Sequence, residues 1–75
     1  MFAMRYKMIG LKIAYYRKMR GYTQGQLAGK IGISTTYLGQ IERGNNGKSY
    51  SLETLLSIAV GLDIDVNLLL SSSEN

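Results

Sequence analysis

The 75 residues contain no cysteine, no histidine, no proline and no tryptophan. Without cysteine no disulfide can staple the fold, and without cysteine or histidine there is no thiolate or imidazole metal site and no Ser-His or Cys-His nucleophile pair. The five carboxylates, Glu42, Glu53, Asp63, Asp65 and Glu74, are scattered along the chain with no two placed in an evident cleft. Neither an enzyme nor a cofactor is therefore expected. Long apolar runs are missing too: the stretch around Leu52 to Val60 is interrupted by Glu53 and followed by Asp63, well short of the roughly 20 residues that span a bilayer. The N-terminal MFAMRYKM is basic but lacks the apolar segment and small-residue cleavage site of a signal peptide. These absences predict a soluble, cytoplasmic chain with no membrane partner. It is long enough for one domain only, whose small core makes association a natural source of further stability.

Acid is scarce where base is abundant. All nine bases and only one acid, Glu42, lie in residues 1–48, giving that segment +8, whereas residues 49–75 carry four acids and no base, or −4. A basic segment joined to an acidic one suits a polyanion at one end, nucleic acid first and an anionic membrane surface second. A solvated basic face without a partner is the alternative on charge alone.

Apolar residues three and four apart, with no sustained alternation, predict an all-α chain of five short helices. The first is expected over Met8 to about Met19, closed by Gly21, with residues 1–7 as an N-terminal arm. Thr23-Gln24-Gly25-Gln26 fits a capping box opening a second helix to about Ile31, ended by Gly32. Ser34 caps a third helix that turns Leu38 and Ile41 inward and stops before Gly44. Residues 44–50 form a loop, Ser51 caps a fourth helix closed by Gly61, and Asp63 or Asp65 opens a fifth through Val66, Leu69 and Leu70. The domain is expected over residues 8–70, with 71–75 a disordered tail.

Residues 23–44 carry the functional signal. Two helices crossing steeply through a three- or four-residue turn need a small inner residue on the first, a residue tolerant of positive φ in the turn, and an apolar pair on the second. Ala28, Gly32, and Leu38 with Ile41 meet these needs in order. With Ile9-Gly10, Ile13, Arg17, Gly21, Thr23-Gln24, Leu27-Ala28, Gly32-Ile33-Ser34, Tyr37-Leu38, Gln40 through Gly44, Ser51 through Leu55, Ile58-Ala59 and Leu68-Leu69, the chain resembles the lambda-repressor-like, XRE or Cro helix-turn-helix transcriptional regulators from about Ile9 to Leu70. That resemblance implies a five-helix bundle whose third helix, about residues 35–43, reads the major groove of double-stranded DNA. It also implies a dimer on a roughly palindromic operator, and an internal ion pair between Arg17 and Glu42.

The side chains fit this role. Gln40 can pair bidentately with adenine, and Thr35 or Thr36 can reach a base edge or a thymine methyl. Gln24, Tyr37, Arg43, Asn45, Asn46 and Lys48 suit phosphate contacts, Gln24 at a helix N-terminus where the dipole favours anions. Gly39 is expected on the exposed face of the third helix, leaving backbone open to the groove. Each has a plainer reading: Thr35 and Thr36 as first-turn residues, Tyr37 as packing, Asn45 and Asn46 as turn formers. Three features depart from the family pattern: the seven-residue loop before Leu52, the helix-interior glycines Gly25, Gly29 and Gly39, and tyrosines at 16 and 22. The apolar C-terminal stretch exceeds what one side of the core can cover, so Ile64, Val66, Leu69 and Leu70 are expected to form a homodimer interface. The alternative function is an antitoxin-like module that holds a protein partner on the same fold.

Overall fold

A computed structural model describes residues 2–44 and 49–71. The described residues form five helices: α1 (Ala3–Met19), α2 (Gln24–Ile31), α3 (Thr35–Glu42), α4 (Leu52–Leu62) and α5 (Asn67–Leu70). Their apolar faces meet in one core of Ile13, Leu27, Leu38, Ile41, Ile58, Leu62 and Leu69, all essentially free of solvent. None of these helices is long and apolar enough to cross a membrane.

α1 begins at Ala3 rather than Met8, so most of the expected arm is helical. The extra turn has no side-chain cap at Phe2. It is held instead by Tyr6, whose ring meets Tyr50 edge-on at 5.3 Å, a contact 44 residues away that no local signal encodes.

The boundaries of α2 and α3 follow local chemistry. Thr23 Oγ accepts the Gln26 N–H while Gln26 Oε1 accepts the Thr23 N–H, completing the capping box. Gly32 ends α2 at φ 80°, a conformation that penalises a side chain. Ser34 then caps α3 through the Tyr37 N–H. With Ala28 buried on the inner side of α2, these features place α3 across α2.

α4 ends differently from the expectation. Gly61 lies inside the helix, where its missing side chain serves close packing: a Cβ there would stand 2.5 Å from Ile31 Cγ2. Asp63 takes the left-handed cap at φ 57°, which a short polar side chain tolerates. The last carbonyls of α4 are bound by bases from elsewhere: Lys30 Nζ donates to Gly61, and Arg20 donates to Leu62 and Asp63. Cations at a helix C-terminus also complement its dipole. Lys30 further donates to the Tyr22 hydroxyl and lies over its ring, so the phenol at 22 finishes the core edge with its polar end partnered. Asp65 opens α5, its carboxylate accepting the Asn67 N–H.

Candidate nucleic-acid interface

The site is built on a buried junction between α1 and α3. Gly10 lets the helices touch: a Cβ there would lie 2.5 Å from the carbonyl oxygens of both Ile41 and Glu42. Two turns further along α1, Arg17 forms a bidentate pair with Glu42, Nε to Oε2 at 2.7 Å and Nη2 to Oε1 at 3.1 Å. Both residues are under a tenth exposed. The third nitrogen of Arg17 donates to the Tyr22 carbonyl, and Gln24 Nε2 donates to Glu42 Oε1 at 2.9 Å. Three helices are thereby locked by one carboxylate. Its charge is matched by Arg17, so the only acid of residues 1–48 leaves no net repulsion toward a polyanion.

The outer side of α3 is set by this anchoring. Thr36, Gln40 and Arg43 recur at i, i+4 and i+7 and are all exposed, which places them in one line along the helix. Thr35 is exposed beside them, its hydroxyl 3.7 Å from where a Cβ on Gly25 would be. Gly39 is buried, contrary to the exposed position expected for it. The side chains of Arg43 and Gln24 cover it, at 3.2 and 3.6 Å from its Cβ position. A methyl at 39 would therefore push on Arg43 rather than simply lengthen the exposed face.

The candidate phosphate contacts fall into three groups. Gln24 lies on the first turn of α2, with one amide hydrogen given to Glu42 and the other left to donate. Arg43 stands next to it over Gly39. Tyr37 is half-buried and packs against the core, so its ring serves packing first. Asn45, Asn46 and Lys48 lie outside the described residues. The sequence reading missed Lys7: its backbone packs against Gly44, 3.2 Å from that residue's Cβ position, which brings the basic first turns of α1 to the C-terminal end of α3. The signal was hidden by starting the helix at Met8.

Several bases that swell the positive charge have other work. Arg17 is spent in the ion pair, Arg20 and Lys30 cap α4, and Lys12 donates to the Ser71 carbonyl. Of the expected dimer residues, Leu69 is 1% exposed and belongs to the core, Ile64 and Val66 are half-buried against it, and Leu70 is exposed. Leu69 is thus removed from the candidate interface, because α5 folds back on α1 and buries it.

Two short helices crossed through a glycine turn, the second anchored inside and polar outside, define a helix-turn-helix domain. The helix-turn-helix family model HTH_3 matches residues 13–69, and the chain belongs to this family. Among its relatives are the HTH-type transcriptional regulators SinR of Bacillus licheniformis, 39% identical over 67 residues, and of Bacillus subtilis, 41% identical over 63. These alignments cover 89% and 84% of this chain but 60% and 56% of the relatives, so the chain spans little more than half their length. A crystal structure of SinR in complex with DNA superposes with a TM-score of 0.78 at 39% identity, covering 85% of this chain and all of that one.

Proposed function

We propose that the chain is a sequence-specific double-stranded DNA-binding module of a transcriptional regulator, with α3 seated in the major groove. The observation that carries this reading is the exposed line of Thr36, Gln40 and Arg43 on a helix whose opposite side is fully anchored. Gln40, with Thr35 and Thr36, reads base edges. Gln24, through its second amide hydrogen, and Arg43 hold phosphates and fix the register. The likeness to a DNA-bound SinR structure supports the same assignment. Two copies joined through Leu70, Ile64 and Val66 would set their α3 helices about 34 Å apart, one turn of duplex.

Fluorescence anisotropy on the duplex upstream of the protein's own gene, against a scrambled duplex at several salt concentrations, tests the reading. Binding about 1,000-fold tighter to the upstream duplex is expected, with log K falling steeply against log salt. Gln40→Ala should erode the discrimination by about 1–3 kcal/mol while thermal stability stays within about 0.5 kcal/mol. Equal binding to both duplexes, or a Gln40→Ala chain that discriminates as well as the parent, would sink it.

A further inference from the structure

α1 has two apolar faces, and only one belongs to the fold. Ile9, Ile13 and Tyr16 pack in or against the core, and Gly10 and Arg17 beside them meet α3. On the opposite side stand Met4, Met8, Leu11, Tyr15 and Met19, between 36% and 69% exposed. Successive members are four, three, four and four residues apart, which at about 100° per residue keeps them in one narrow stripe. Such a width matches a helix–helix seam rather than the broad apolar half of a helix lying in a membrane surface. At about 1.5 Å per residue the stripe runs roughly 22 Å, about four turns of a partner helix.

Its borders carry one sign of charge. Arg5 flanks one edge, beside Lys12 whose ammonium is given to the Ser71 carbonyl, Lys7 and Lys18 flank the other, and α1 has no acid at all. Two copies of this stripe laid together would oppose base with base in either orientation, which disfavours self-pairing. Glutamate and aspartate at the flanking positions of a foreign helix would instead meet a base on both sides. The stripe is also partly pre-set for binding: the Tyr15 ring is held edge-on by Tyr16 at 5.1 Å, a rigid anchor that loses little freedom on docking, while the methionines supply an adaptable surface.

We propose that the outer face of α1 is a docking surface for an acidic amphipathic helix of a second protein. The helix would seat its apolar seam on Met4, Met8, Leu11 and Tyr15 and its carboxylates on the flanking bases. Because α3 packs on another side of α1, the partner leaves the Thr36, Gln40 and Arg43 line uncovered. Partner and polyanion then compete only for the bases of the first turns of α1, Lys7 among them.

The probe is a labelled synthetic helix with leucine at a and d positions and glutamate at e and g, titrated with the full chain and followed by anisotropy. The same peptide with lysine at e and g is the control. Saturable binding of the glutamate peptide, at least about tenfold weaker for the lysine peptide and weakened by salt, is expected. Met4→Gln with Leu11→Gln, both exposed and helix-compatible, should cost about tenfold or more in peptide affinity with unchanged circular dichroism and unchanged DNA binding. Arg5→Glu with Lys18→Glu should turn the preference toward the lysine peptide, which decides the matter even if the first variant loses helicity. No binding of the glutamate peptide, or equal binding of both peptides, overturns the proposal. So does a fall in sedimentation mass of the Met4→Gln/Leu11→Gln chain, which would make the face a contact between copies, or stripe-dependent binding to phosphatidylglycerol vesicles, which would make it a membrane surface.

Discussion

On the inner side of α3, the carbonyls of Ile41 and Glu42 leave no room for a methyl on Gly10, and the Glu42 carboxylate is held by Arg17 and Gln24. On its outer side, within six residues in sequence, Thr36, Gln40 and Arg43 are exposed. The same eight-residue helix thus carries one face on which geometry and charge are fixed by the rest of the molecule and another on which side-chain identity is left to the ligand. The role proposed for α3 needs both, because base readout requires a rigid support as much as a variable edge.

The sharpest way to break the inner face is Glu42→Ala, which strands Arg17 in the interior with a single remaining carbonyl partner. A loss of about 3–5 kcal/mol is expected, read as a fall in the urea midpoint with unchanged slope. Restoring an apolar interior with Arg17→Met/Glu42→Leu should recover much of it. A double variant no more stable than Glu42→Ala would show that the charge pair does more than neutralise itself.

Gly10→Ala comes next. Its methyl would meet two backbone oxygens, which cannot rotate away as a side chain can, so α1 and α3 must part. Overpacking of this kind costs about 1–3 kcal/mol, and because α3 is displaced, DNA affinity should fall together with stability. Gln40→Ala, by contrast, should touch discrimination alone.

Two other glycines sharpen the contrast at about 1 kcal/mol. Gly29 has nothing within 4 Å of its Cβ position, so Gly29→Ala should stabilise the chain through helix propensity, raising Tm by about 4–8 °C, with DNA binding intact. Gly39→Ala gains the same propensity but presses on Arg43, so calorimetry should show added stability while anisotropy shows weaker DNA binding. A Gly39→Ala chain that binds DNA as well as the parent would exclude Arg43 from the phosphate contacts.

The smallest expected effect lies at Tyr50. Burial pushes its phenol up to about 12 from an ordinary 10.0, with Tyr6 and Tyr37 adding to the shift, and its hydroxyl has no hydrogen-bond partner among the described residues. The unfolded chain loses this proton near pH 10, the folded chain only near 12, so the contribution is full below pH 10 and is lost as pH rises between those values. Urea midpoints of Tyr50→Phe should therefore fall less than those of the parent between about pH 10 and 12. Parallel curves would place the phenol in solvent.

Much of the fold was legible because its signals are local. The Thr23 to Gln26 box, the Ser34 and Ser51 caps and the Gly32 turn each act within four residues, and each lies where the sequence puts it. The outward exposure of Thr35, Thr36, Gln40 and Arg43 was legible for the same reason, since helical period fixes the face opposite Leu38 and Ile41. What failed depended on distant partners. The start of α1 rests on Tyr50, the place of Gly61 rests on Ile31, the burial of Gly39 rests on Arg43 and Gln24, and the burial of Leu69 rests on α5 folding back.

The amino-acid sequence by itself determined the class of the molecule: an all-helical chain, basic in its first two thirds, with a crossed helix pair and a polar outer face on the second helix. Caps, turn glycines and helical period act over one or two turns, so order along the chain is enough to reveal them. Only the tertiary structure decided which bases remain for a polyanion and which are consumed in holding Glu42 and the end of α4. It alone left a whole apolar stripe of α1 outside the core. Charge and hydrophobicity are counted residue by residue, but whether either is used inside the fold or presented to a partner depends on which helix lies beside it.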